Sequence, residues 1–292
     1  IVGSKLLDYY SIDSSLLRYA YTHLDFNQHA QEFGKFGGYA YLKTLIDTLK
    51  SQANNKCLLL DGGDTWQGSG LSLLENGKDM VKASNLLGVD VMTGHWEFTF
   101  GEEIFLENLK NFNGDFVAQN ISLTEEAIFD GLEAVDDDNH FQKPYVIKTI
   151  NGLRVAVIGQ AFPYTPIANP QRLIPNLTFG IRDSELQELI NHIKNKEKPS
   201  LIIMLSHNGV DVDKKMASKV NGIDIILGGH THDVLPKPVI VKNNSNSTLV
   251  FNSGCNGKFI SMLDLNVRGN SFSYKYKLLP VLSNQIKPSK KM

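Results

Sequence analysis

Short runs rich in Val, Ile and Leu recur along the chain, separated by stretches with helical spacing. Residues 39–52 carry apolar side chains at Tyr39, Leu42, Leu45, Ile46 and Leu49, a period that predicts an amphipathic helix. The run 57–60 predicts a strand. The alternation continues with helix 78–87 and strand 89–92, then helix 102–112 and strand 116–119. A strand at 153–159 follows, then helix 184–196 with strand 201–205 and helix 212–220 with strand 223–227. Near-continuous apolar strands are those covered on both faces. After residue 247 the helices drop out, and 248–252, 259–267 and 271–279 predict closely spaced antiparallel strands that close a layered sheet. The sum is one α/β domain, a two-sheet sandwich flanked by helices. Two stretches interrupt it. Residues 120–139 are acidic and loop-like, ending in Asp136-Asp137-Asp138-Asn139. Residues 162–175 hold Pro163, Pro166, Pro170 and Pro175 and are predicted irregular, because proline fixes φ and removes a donor.

A chain of 292 residues with 42% hydrophobic residues can bury a substantial core. The net charge of -2 gives no electrostatic footprint for nucleic acid. No apolar run reaches the roughly 18–20 residues of a membrane span, so neither nucleic-acid binding nor membrane insertion is expected. Two cysteines, Cys57 and Cys255, cannot make a disulfide framework, and Cys57, leading a strand, is expected as a buried free thiol. The chain begins at Ile1 with no charged-then-apolar leader, which reads as a processed chain or a piece of a longer one.

Candidate chemistry gathers where strands end. Asp61-Gly62-Gly63-Asp64, Gly94-His95-Trp96-Glu97, Ser206-His207-Asn208 and Gly228-Gly229-His230-Thr231-His232 each follow a predicted strand, on the rim where open α/β sheets bind ligands. Paired glycines allow a tight turn that presents Asp64 outward, and its carboxylate has two oxygens with which to bridge cations. In an extended chain the two-residue spacing would send His230 and His232 to the same side. Imidazole mixed with carboxylate suits Mn, Fe or Zn rather than Ca or Mg alone. A single histidine after a strand is ordinarily a satisfied core or loop residue; an aspartate and four histidines, all at strand ends, are not independent accidents. His23, His29, His140 and His192 lack this context, and Asp138-Asn139-His140 reads as a solvated turn. On the proline-stiffened loop, Tyr164, Asn169 and Arg172 are candidates to hold an anionic substrate, although ordinary loop roles account for them equally well. Asn208 can donate to such an anion or cap the following turn, and Lys35 reads equally as a solvated helix-entry charge.

These motifs resemble those of the calcineurin-like metallophosphoesterases, and within them the 5′-nucleotidase group. Stretches 21–26, 33–40, 60–69, 86–99, 159–170, 205–209 and 226–233 are closer to its SoxB branch, the thiosulfohydrolases of bacterial sulfur oxidation. The resemblance implies a four-layer α/β/β/α sandwich and a dinuclear site, typically with Mn2+. By position Asp64 would bridge the two metals, His95, His207 and His230 would complete one site, and His232 would serve the other. His95 stands where relatives place a ligating Asn, and Trp96 where nucleotidases place a catalytic His. The first metal-binding strand, with its Asp-x-His, has no counterpart ahead of residue 39. Residues 1–38 resemble the insertion that follows it, 39–282 the catalytic domain, and 283–292 the start of a linker to a further domain. The implied activity is release of sulfate from a cysteine S-thiosulfonate on a SoxYZ-type carrier protein in the periplasm. The competing expectations are a 5′-nucleotidase-like phosphoesterase and a catalytically incomplete fragment.

Overall fold

In a computed structural model of the chain, residues 2–244, 246–269 and 271–292 are described. Three short helices, α1 (Ser4–Tyr10), α2 (Ser15–Tyr21) and α3 (Phe26–Phe33), precede the predicted helix α4 (Tyr39–Gln52). α2 and α3 pack around Tyr19, Phe33 and Leu282, and the Tyr19 hydroxyl donates to the Gly34 carbonyl at 2.7 Å.

The first sheet is short. β1 (Leu60–Asp61), β2 (Val91–Met92) and β3 (Asp115–Phe116) run parallel in that order. The paired segments are shorter than the strands predicted at 57–60 and 116–119 and are shifted by one residue, β1 ending at Asp61 and β3 starting at Asp115. Pairing continues one rung further at either end, through Asp90 N–H to the Leu59 carbonyl, Thr93 N–H to the Asp61 carbonyl, Asp115 N–H to the Asp90 carbonyl and Val117 N–H to the Met92 carbonyl. The other edge of β1 has no strand partner among the described residues. Helices α5 (Gly70–Leu74), α6 (Lys78–Leu87) and α7 (Glu102–Asn111) connect these strands. The outer face of this sheet is covered by apolar residues of α4, α6 and α7, including Ile46, Val81 and Phe105.

The second sheet has six strands, in the order β10-β11-β9-β8-β6-β5. These are β5 (Tyr145–Ile150), β6 (Leu153–Gln160), β8 (Leu201–Ser206), β9 (Ile225–Gly228), β10 (Val239–Lys242) and β11 (Ser247–Asn252). Its four inner strands are parallel and its two edges antiparallel. β8 is buried along its whole length, as expected of a strand covered on both faces. On one side lie α10 (Asp183–Lys196), whose stripe Leu186, Ile190 and Ile193 is buried, and α11 (Val210–Lys219). On the other, Val155, Val157, Ile203 and Leu205 meet Val91 and Val117 of the first sheet. Helices, sheet, sheet, helices: the expected four-layer sandwich is present.

Several expectations need correction. The run at 248–252 is not antiparallel to its successors; it lies within β11, parallel to β9, while β12 (Phe259–Arg268) and β13 (Ser271–Pro280) form a separate hairpin. The acidic stretch 120–139 is not simply loop: it holds β4 (Ile121–Leu123), paired with β7 (Leu177–Phe179), and α8 (Glu125–Phe129), capped by the Thr124 hydroxyl. The proline-rich stretch contains a turn of helix, α9 (Thr165–Ala168), with Pro166 at its start, where the missing N–H is not needed. Cys57 and Cys255 are free and half-buried rather than fully buried.

The sheets touch most closely at Gly159. A Cβ there would lie 1.9 Å from the Val117 carbonyl oxygen, and Gln119 N–H donates to the Gly159 carbonyl at 2.8 Å. Backbone on both sides leaves nothing to repack. Gly159→Ala should therefore cost at least about 3 kcal/mol, at or above the usual range for overpacking, read as a fall in the denaturation midpoint; a loss under about 1 kcal/mol would contradict this account.

Candidate metal centre

Each sheet delivers two residues to one rim. Asp64 and His95 follow β1 and β2 of the first sheet, and His207 and His230 follow β8 and β9 of the second. Ligand atoms of all four lie within 4.8 Å of one another. The three imidazole centroids are 5.2, 5.3 and 5.3 Å apart, close to an equilateral triangle over the Asp64 carboxylate.

Local backbone makes this possible. Gly63 and Asp64 both have left-handed φ, 94° and 64°. A Cβ at Gly63 would sit 2.9 Å from the Gly94 Cα and the Thr93 carbonyl, so only glycine lets the two ligand loops approach. His230 is left-handed as well, φ 72°.

One buried side chain ties the first two loops together. The Glu97 carboxylate, 1% exposed, accepts backbone N–H groups from Thr65 at 2.7 Å and Trp66 at 3.3 Å on one oxygen. The other oxygen takes Asp64 at 3.2 Å and His95 at 2.8 Å. Glu97 entered the sequence motif without a role, because nothing in a short helical turn reveals where a carboxylate points. Trp96 N–H in turn donates to the Asp64 Oδ1 at 3.1 Å.

The residues fit a divalent cation. His95 is 2% exposed, yet neither ring nitrogen has a hydrogen-bond partner; its 3.2 Å approach to the Asp64 Oδ1 is off the bonding axis. Buried, unpaired nitrogens are costly, and a cation would supply the missing partner. His207 Nδ1 lies 2.6 Å from the Gly62 carbonyl, an acceptor only, so Nδ1 carries the proton. That bond fixes the tautomer, as outer partners of ligating histidines do, and leaves Nε2 facing Asp64 Oδ2 at 3.0 Å.

Electrostatics agree. Burial alone would raise the Asp64 pKa, but the His207 bond and the charges of His207 and His95 outweigh it and hold the carboxyl far below the usual range. Burial works against a charged His207 too, and Asp64 overrides it, raising the imidazole above its ordinary value. His230 moves the other way, to about 4, through burial and then the charges of His207 and His95.

A second layer lies behind the ligands. Asp61 accepts from the Thr65 hydroxyl on both oxygens and from Gly63 N–H; burial pushes it up to about 6. Gln119 donates to Gln160 at 2.6 Å, and Gln160 to the Asn208 Oδ1 at 3.2 Å. The Ser206 hydroxyl donates to Asp213 at 2.6 Å. Asp213 is fully buried, 0% exposed; in the sequence it lies in the helix predicted at 212–220 and has no assigned role.

The other predicted residues are placed as follows. His232 is exposed and stands outside the four-residue cluster; the chain at His230 and His232 is left-handed, φ 72° and 57°, not extended. Trp96 is half-buried with its ring 4.6 Å from His95. Asn208 is 4% exposed, its carbonyl held inward by Gln160. Asn169 is buried and accepts from the Thr99 hydroxyl at 3.2 Å, while Tyr164 and Arg172 are exposed. His140 is no solvated turn: it is buried, 8% exposed, and its Nδ1 pairs with Asp136 at 2.8 Å. Lys35 is exposed.

No family model matches the chain. A rat (Rattus norvegicus) 5′-nucleotidase is 31% identical over 202 residues, 68% of this chain and 33% of that protein. The structure of Thermus thermophilus sulfate thiohydrolase SoxB in complex with glycerol superposes with a TM-score of 0.89 at 32% identity, covering 100% of this chain and 52% of that one. The chain belongs to the calcineurin-like phosphoesterase superfamily. A 5′-nucleotidase precursor, also from Thermus thermophilus, gives a TM-score of 0.75 at 25% identity, over 87% of this chain and 50% of its own. This superfamily member thus spans about half the length, or less, of these relatives. Among the described residues, no helix is long and apolar enough to cross a membrane.

The layers around the ligands can be probed one at a time. Glu97→Gln presents an amide N–H₂ to backbone donors; hydrogen bonds to a charged group are worth about 1.5–3 kcal/mol each. The variant should lose at least about 2 kcal/mol in chemical denaturation and bind Mn2+ or Zn2+ at least tenfold more weakly by calorimetry; unchanged affinity would refute the role given to Glu97. Burial pushes the Asp213 carboxyl up to about 7, against the bond from Ser206 and the charge of His207. A carboxyl raised above its unfolded value near 4 takes up a proton on folding. Its stabilisation is complete below about pH 4 and is lost as pH rises through about 7. Asp213→Asn cannot titrate, so from pH 5 to 8 the metal-free variant should lose less stability than the parent. Parallel stability curves would show the assignment to be wrong.

Proposed function

We propose that the protein carrying this chain is a thiosulfohydrolase. It would release sulfate from a cysteine S-thiosulfonate on a SoxYZ-type carrier protein, in the periplasm, with Mn2+ as the metal. The observation that carries this reading is Trp96. Its indole lies against the ligand His95, 4.6 Å between centroids, at the position where the nucleotidase pattern has a catalytic histidine. Support comes also from the likeness to the sulfate thiohydrolase, which covers 100% of this chain, the residues ahead of Tyr39 included, and 52% of that one.

The chemistry follows from the leaving group. A nucleotidase expels an alkoxide, a strong base that needs a proton from an acid. Water adding to the sulfonate sulfur of a thiosulfonate breaks the S–S bond instead, giving sulfate, a persulfide anion and two protons. A persulfide is far less basic than an alkoxide and leaves unprotonated, so an indole can stand in place of an imidazole. Asp64, His95, His207 and His230 would hold the metal, which supplies polarisation of bound water. Trp96 N–H and the Glu97 carboxylate keep the Asp64 oxygens directed at the cluster.

The second reading is a nucleotide phosphoesterase, favoured by the 31% identity to a 5′-nucleotidase. The two separate in one assay. The full-length, Mn2+-loaded protein should release sulfate from a thiosulfonated carrier and leave AMP intact, and Trp96→His should gain phosphomonoesterase activity at unchanged metal content. AMP hydrolysis by the parent without sulfate release would decide for the phosphoesterase. A Trp96→His protein inert toward phosphomonoesters would remove the general-acid argument.

A further inference from the structure

Two of the three clustered imidazoles have no protein hydrogen bond to set their planes among the described residues. A ligating histidine ordinarily donates its second ring nitrogen to a carboxylate, carbonyl or water, which fixes the plane of the ring. His207 does so through the Gly62 carbonyl. Among the described residues, no protein group hydrogen-bonds a ring nitrogen of His230, and His95 meets the Asp64 Oδ1 at 3.2 Å without forming a hydrogen bond. An imidazole without such a bond has a broad terminal torsion, and a ligand free to turn binds a metal weakly.

Phe162 occupies the place of the missing bonds. Its ring lies over His230, 4.0 Å between centroids at 27°, and against His95 at 4.2 Å and 45°. His207 meets its edge at 6.4 Å and 85°. Phe162 is itself held hard. Its N–H donates to the Gly94 carbonyl at 3.1 Å, and its carbonyl accepts the hydroxyl of the buried Thr165 at 2.8 Å. The preceding Ala161 is clasped by Asn120, which accepts the Ala161 N–H at 2.8 Å and donates to its carbonyl at 2.9 Å. A ring carried on so fixed a backbone can set the planes of its neighbours.

We infer that Phe162 is the positioning residue for His230 and His95, its flat face doing for them what the Gly62 carbonyl does for His207. Aromatic pairs of this geometry contribute beyond their buried area, and loss of an outer partner of a metal ligand typically weakens binding about 10–100-fold. The inference concerns the metal site alone and does not depend on which substrate is hydrolysed.

The test uses the full chain with Mn2+ and Zn2+ as probes. Phe162→Ala should weaken the metal Kd at least about tenfold by calorimetry, the low end of that range. Phe162→Tyr, which keeps the ring, should stay within about threefold of the parent. Phe162→Leu, which keeps apolar bulk without a flat face, should fall with the alanine variant. Unfolding of the metal-free proteins is followed in parallel, because a merely structural role would move that midpoint and not the difference between Tyr and Leu. Should the alanine variant fail to fold, the Tyr and Leu pair decides alone. Leu binding metal as tightly as Tyr, or Ala within about twofold of the parent, would overturn the inference.

Discussion

The site depends on a single carboxylate that is not a ligand. The first sheet pairs over only two residues per strand, too little ladder to fix the loops that carry Asp64 and His95. Glu97 makes up the deficit. Its two oxygens collect four backbone N–H groups, three from the loop that begins at Asp64 and one from His95. Charge-assisted bonds at 2.7 and 2.8 Å are the strong kind. Because the anchor is buried at 1% exposure, bulk water cannot compete for those donors. The left-handed turn at Gly63 and Asp64 is thereby held from outside the strand that produces it.

The other half of the site arrives on a different sheet, so the distance between sheets becomes a catalytic dimension. Gly159 sets it by letting backbone meet backbone. His207 spans it: its Nδ1 bond to the Gly62 carbonyl orients a ligand and clips the second sheet to the first. Gln160 serves both roles on its own sheet, accepting His207 N–H through its carbonyl at 2.8 Å and holding Asn208 through its side chain. Asn208, expected in the sequence to face an anion or cap a turn, belongs to this frame.

The layered fold was legible because buried parallel strands and amphipathic helices write strong, distinct periods. What was lost has identifiable causes. The hairpin joining β5 to β6 turns at Asn151-Gly152, both left-handed, φ 50° and 80°; that dipeptide is a strong hairpin signal, passed over because 145–150 alternates too weakly to stand out. The four clustered residues were legible as candidates, since strand-end histidines announce themselves by position. His232 was grouped with His230 on the premise of an extended chain, which two left-handed residues break. Glu97, Asp213 and Phe162 were not legible in role. A carboxylate in a helical turn and a phenylalanine in a proline-rich loop look the same whether they face solvent, core or ligand; only the fold brings residue 97 under residue 64, and residue 162 over residue 230.

Enclosure then decides how the cluster carries charge before any cation enters. Three imidazoles with centroids 5.2–5.3 Å apart cannot all be protonated, since like charges at that distance repel strongly in a partly dry site. The structure resolves the conflict by dividing them. His207, bonded to the one carboxylate, is pushed toward the cation, and His230, packed under Phe162 and facing the other rings, is pushed toward the neutral form, to about 4. A proton on the His207 Nε2 side and the Asp64 charge therefore balance each other. A metal held by these residues would stand opposite the Asp64 carboxylate in place of that proton, and would meet in His230 a ring already biased to the neutral form. The aromatic wall and the buried carboxylate act on the same end: the first lies over a ring biased to the neutral form, and the second anchors the loop of the Asp64 that biases His207 to the charged form.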